Sequence, residues 1–110
     1  MSINEWSGAF LLTQLIELPI YLRSARSLPA LQRMAYAFGA STITHPVIWF
    51  CLPWEGAPYV ALLIAAECFA IGAEGAWGGC WRVPRPWRAS LLANAASLTA
   101  GMLIRWVYLA

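Results

Sequence analysis

A chain of 110 residues has room for one domain, and 61% hydrophobic against 11% charged residues puts it far outside the composition of a water-soluble globular protein. Seven arginines and five glutamates leave a net charge of +2, too small and too segregated to mark a nucleic-acid-binding surface. The apolar residues form four long blocks with short polar punctuation and do not alternate every second residue, so the pattern is that of a helical bundle in a bilayer and excludes a barrel.

The expected fold class is therefore all-α: a polytopic membrane protein of four transmembrane helices in two hairpins, forming a single domain over residues 1–110. The first helix is expected over about 6–22 and retained, since Met1-Ser2-Ile3-Asn4-Glu5-Trp6 has no positive n-region and no small-residue cleavage site follows. The others are expected over about 29–52, 58–81 and 86–108. Each is about 25–36 Å long at 1.5 Å per residue, enough to cross a hydrocarbon core of about 30 Å. Pro29, Pro53, Pro58, Pro84 and Pro86 mark helix starts and turns, where a missing N–H costs little.

The arginines fall at one end. Arg23, Arg26 and Arg33 flank the first loop and Arg82, Arg85 and Arg88 the third, while the loop around Pro53-Trp54-Glu55-Gly56 has none. Positive loops stay in the cytoplasm, which gives an N-out/C-out protein of the inner membrane. Trp6, Trp49, Trp54, Tyr59, Trp106 and Tyr108 are then expected near the outer interface and Tyr21, Trp77, Trp81 and Trp87 near the inner one, as anchors in the bilayer. Arg105, near the outer end of the last helix, is expected to snorkel to water.

Three of the five glutamates, Glu17, Glu67 and Glu74, and the single histidine, His45, lie within the apolar blocks. A charged group at the centre of a spanning helix costs about 2.5–3.5 kcal/mol on insertion scales, so these residues call for a function or an assembly role. Counted from the arginine end, Glu17, Glu74, Asn94, Ser41 and Thr42 share a depth of about 9–13 Å, one layer with a member from every helix. Gln14 lies one turn above Glu17 on the same face. Glu67 lies two turns from Glu74 on nearly the same face, and Thr13, Thr44 and His45 reach its depth or further out. Pro19 and Pro46 interrupt helices beside Glu17 and His45 and free the carbonyls of Leu15 and Thr42, which adds polar backbone to the same region.

Stacked carboxyl and imidazole groups in a membrane point to binding or conduction of a proton or cation, with Glu17 and Glu74 as exchanging or coordinating groups, His45 as an outer relay, and Asn94 with Ser41 or Thr42 as neutral ligands. Carboxylates and carbonyls suit a hard cation better than zinc or iron. The competing reading is a non-catalytic membrane subunit or scaffold, in which the buried acids hold helix–helix or partner contacts. A third is an intramembrane enzyme or cofactor binder with His45 as an axial ligand. No elbow, phosphate loop or dinucleotide fingerprint is present, so the constellations of soluble enzymes are not expected. Cys51, Cys68 and Cys80 lack the spacing of a zinc or disulfide framework.

Small residues predict close helix approach: Gly72, Gly75 and Gly78 recur, Gly75 and Gly79 form a Gly-x-x-x-Gly pair, and Ala93, Ser97 and Gly101 make a ladder on the last helix. A homo-oligomer or a seat in a larger membrane complex is expected. A weak internal repeat places Glu17 on Glu74, Thr42 on Thr99 and Trp49 on Trp106. A second register for the later helix of each hairpin, with Ser41 on Asn94 and Thr44 on Ser97, fits as well. Either would relate the hairpins by an axis along the membrane normal.

Overall fold

The computed structural model describes residues 3–109, with the side chains of residues 5, 108 and 109 outside the description; the expected anchor Tyr108 is among these. Four helices account for nearly all of it, α1 (Ile3–Ser24), α2 (Ala30–Cys51), α3 (Tyr59–Cys80) and α4 (Pro86–Leu109), and no strand occurs among the described residues. Pro29 and Pro58 sit immediately before α2 and α3 and Pro86 opens α4, each where its missing N–H has no intrahelical partner to lose. Helix α3 ends in a Schellman turn: Val83 N–H donates to Gly78 O at 3.0 Å, Arg82 N–H donates to Gly79 O at 3.1 Å, and Arg82 takes φ 58°. Pro19 and Pro46 lie inside α1 and α2, which run on through them.

The helices close a ring in which α1 touches α2, α2 touches α3, α3 touches α4 and α4 returns to α1. Short loops make sequential neighbours antiparallel. The body is 42 × 24 × 23 Å.

Its interior inverts the order of a water-soluble bundle. The largest side chains wholly inside are Tyr21, Tyr36, Glu17, Glu74, Thr44 and Ser41, all bearing polar atoms, whereas Leu15 is 74% exposed, Leu31 84% and Trp106 71%. The exposed apolar residues cover every helix, Ile64 and Phe69 on α3 and Leu91 and Leu103 on α4 among them. Helix α3, with mean hydropathy 1.6, is by length and composition the one described helix long and apolar enough to cross a membrane. The other three carry Gln14, Ser41, Thr44, Ser90 and Asn94, which lower their mean hydropathy, yet these side chains point inward.

Close packing is concentrated at the arginine end, where Tyr21, Ala25, Tyr36, Ala37, Ala40, Val83, Ala89 and Ala93 form one buried cluster. Trp77, expected at the interface, packs against this cluster: its Nε1 donates to Tyr36 O at 3.0 Å, and its ring lies where a Cβ on Gly39 would come within 2.6 Å. Gly75 admits the ring of Trp87, and Gly78 admits Pro86 and Tyr36. Gly72, Gly79 and Gly101 face open space, so of the Gly75/Gly79 pair only Gly75 is a close approach within the chain.

Candidate functional site

Two carboxyl groups form the centre of the bundle. Glu17 is 1% exposed and accepts hydrogen bonds from Ser41 Oγ at 2.7 Å and Ser97 Oγ at 2.5 Å. Glu74 is 2% exposed and accepts from Thr44 Oγ1 at 2.7 Å, Asn94 Nδ2 at 3.3 Å and the hydroxyl of Tyr21. The two carboxyl groups line the same cavity and their donors are linked, since Ser97, which donates to Glu17, also donates to the carbonyl of Asn94, which donates to Glu74. Every named donor is neutral, so hydroxyls and an amide solvate these oxygens without supplying a counter-charge.

These bonds follow an approximate two-fold relation between the hairpins. Glu17 takes one donor from its own hairpin, Ser41, and one from the other, Ser97; Glu74 takes Asn94 from its own and Thr44 from the other. This arrangement obeys the register that pairs Ser41 with Asn94 and Thr44 with Ser97. The buried faces of α2 and α4 fall into the same register, with Tyr36, Ala37 and Ala40 matching Ala89, Ser90 and Ala93. Tyr21 breaks the relation. Its counterpart one turn after Glu74 is Gly78, so one side carries a phenol and the other a gap filled by Pro86 and Tyr36.

Above the carboxyl pair opens a cavity of about 400 Å³. Glu17, Glu74, Asn94 and Ser97 form its floor and Glu67 and His45 its walls, with Leu63, Leu98 and Met102 as apolar lining. Glu67 is half-buried and makes no hydrogen bond among the described residues. His45 Nε2 lies 3.4 Å from Thr13 Oγ1, while its buried Nδ1 has no partner among the described residues. Its ring is enclosed by Phe10 at 5.5 Å, Trp49 at 6.0 Å and Trp6 at 6.4 Å between centroids.

Trp49, Trp54, Tyr59 and Arg105 line the mouth, at the end opposite the loop arginines. Trp49 and Trp54, expected only as bilayer anchors, thus belong to the cavity. Trp54 is pinned by a 2.9 Å bond from its Nε1 to Ile48 O. The guanidinium of Arg105, expected to reach for water alone, lies 4.4 Å from the centroid of the Tyr59 ring, a cation–π contact. Toward the arginine end the floor is backed by Tyr21 and Tyr36, packed edge to face at 5.4 Å, and by the alanines of the buried cluster.

Thr42 and Gln14 are not part of this lining. Thr42 is exposed and donates to Phe38 O at 2.7 Å; Gln14, although buried, donates to Phe38 O at 3.3 Å and to Thr42 Oγ1 at 3.4 Å, and its Oε1 has no partner among the described residues. Thr44, placed by sequence with the outer group, instead binds Glu74. Tyr21 is the residue sequence reasoning assigned elsewhere, since a buried phenol and an interfacial one have the same composition. Its position one turn after Glu17, on the same face, was the available signal. Among the described residues no three of His, Cys, Asp and Glu converge as a metal-binding group. Comparison with protein-family models, curated proteins and solved structures finds no match to this chain.

Proposed function

We propose that this is a four-span membrane protein, N-out/C-out in the inner membrane, that binds a proton or cation at the Glu17/Glu74 pair through a cavity open on the outer side. The observation that carries the reading is a pair of buried carboxyl groups lining one cavity, solvated by neutral donors alone. Two such groups cannot both hold full negative charge in one cavity, so the pair is stable with a shared proton or with a cation at its oxygens. Glu67, seven residues before Glu74 and two turns nearer the mouth, is a relay position for a cation entering past Arg105.

The bilayer assignment draws support from the inverted interior and from a long dimension of 42 Å, which matches a bilayer including its headgroups at about 40–45 Å. Hydropathy alone selects α3, because the averages for α1, α2 and α4 include polar groups that the bundle hides from lipid. Passage to the arginine end would require Tyr21 and Tyr36 to move, so binding with access from one side is the resting behaviour.

The test is a titration of purified protein in nanodiscs, following the fluorescence of Trp49 and Trp54 against sodium, potassium and tetramethylammonium at several pH values. A saturable response that disappears in the Glu17→Gln/Glu74→Gln double variant is expected. Retention of the full response by that variant, confirmed as folded, would refute the reading.

A second reading, a membrane assembly subunit, is favoured by Gly72 and Gly79, two turns apart on α3 and unopposed within the chain. Under it, cross-linking in native membranes captures a second copy or a larger complex through that stripe, and the Gln variants keep the assembly intact.

A further inference from the structure

Six arginines serve the two loops at one end, and a positive-inside orientation asks only that they be on that side. Four of them do more. Arg23 and Arg26 from the end of α1, and Arg85 and Arg88 from the start of α4, line one groove of about 930 Å³ between these helices. They come from different hairpins and converge without an acid among the described residues, since Glu17, Glu55, Glu67 and Glu74 all lie outside the groove. Four like charges around one concavity repel unless an anion occupies it.

Three further features fit an anion with an apolar tail. Ser27 lines the groove, and Ile20, Leu92 and Ala96 continue it along the helices toward the exposed apolar surface, where Leu92 is 52% exposed. Helix α4 begins there, at Pro86, so its positive dipole end lies in the same region. Arg85 holds φ 50°, a conformation in which glycine is the less strained residue, yet the position carries a guanidinium.

We propose that this groove is a binding site for an anionic phospholipid with two phosphates in its headgroup, one on the Arg23/Arg26 pair and one on Arg85/Arg88, with an acyl chain along Ile20, Leu92 and Ala96. Guanidinium forks suit phosphate oxygens, and paired forks suit two phosphates. Basic pockets between spanning helices at the cytoplasmic side are suited to such headgroups. The site lies at the opposite end from the cavity and does not depend on what the cavity binds.

The test measures lipid retention by native mass spectrometry and the thermal midpoint of full-length protein in mild detergent. The additions are a diphosphatidyl lipid, phosphatidylglycerol, phosphatidylcholine and inorganic phosphate. The diphosphatidyl lipid is expected to bind one per chain and raise the midpoint most, phosphatidylglycerol less, and phosphatidylcholine and inorganic phosphate not at all. Arg26→Gln and Arg85→Gln should each weaken binding about fivefold, whereas Arg82→Gln, which removes the same charge outside the groove, should leave it unchanged. Equal loss in Arg82→Gln would show diffuse attraction and overturn the site. A midpoint rise with inorganic phosphate equal to that with lipid would overturn the lipid assignment, as would equal retention of phosphatidylcholine.

Discussion

Replacing Glu74 separates its charge from its role as a hydrogen-bond acceptor. Three donors from three helices converge on it: Tyr21, Thr44 and Asn94. Thr44 has a second acceptor in Ala40 O at 3.3 Å, and Asn94 has Ser90 O at 2.9 Å, but the Tyr21 hydroxyl donates to Glu74 alone among the described residues. In Glu74→Leu the phenol is therefore stranded in a dry interior, at about 1–3 kcal/mol, while the other two donors keep their alternatives. Adding the weaker loss of the Thr44 and Asn94 bonds, about 0.6 kcal/mol each for interhelical bonds in a bilayer, gives a total cost of about 2–4 kcal/mol. Glu74→Gln keeps an acceptor oxygen for Tyr21, and Thr44 can turn its hydroxyl to accept from the new amide, so the cost should stay below about 1 kcal/mol. Tyr21→Phe should cost about 1 kcal/mol in the parent and be neutral or stabilising in Glu74→Leu. Reversible unfolding in mixed micelles, run as a double-mutant cycle, measures all four values. Equal damage from Gln and Leu, or the same cost for Tyr21→Phe in both backgrounds, would refute the account of Glu74 as the shared acceptor.

Three other outcomes follow from the same geometry. Gly75→Ala drives a methyl into the Trp87 ring and should destabilise the bundle by about 1–3 kcal/mol, whereas Gly72→Ala, facing open space, should be neutral within the monomer; thermal midpoints of the two variants decide it. Cys68 is exposed at the middle of α3, so in sealed membranes a water-soluble maleimide should leave it unlabelled until the protein is denatured, and rapid labelling of the native protein would contradict a lipid-facing α3. Trp77→Phe removes the 3.0 Å bond to Tyr36 O and should cost about 1 kcal/mol, read by the same unfolding assay, with a cost near zero placing this indole outside the core.

The four helices were legible in the sequence because the apolar blocks are long and prolines mark their starts. The polar layer was legible because a carboxyl in such a block cannot be left unsolvated, so Glu17 and Glu74 had to meet Ser41, Asn94 or their neighbours. Less could be read for aromatic residues. A tyrosine or tryptophan satisfies its polar tip at an interface or on a buried acceptor, and only the structure distinguishes Tyr21 on Glu74 and Trp77 on Tyr36 O from anchors. Hydroxyls one residue apart were equally hard to assign: Ser41 turns inward to Glu17, while the exposed Thr42 donates to its own helix and accepts from Gln14. The glycines misled for another reason. Recurrence fixes a face but not what lies opposite it, so Gly75 meets a ring and Gly79 meets nothing.

The crossed bonding of the two carboxyl groups has a consequence for how the molecule is made. Either hairpin by itself would hold an acid short of donors, Glu17 without Ser97, one of its two, or Glu74 without Thr44 and Tyr21, two of its three. Completion comes only when the halves dock, so the step that joins the hairpins is also the step that creates the site. A chain halted after its second helix would carry Glu17 with only Ser41 to donate to it.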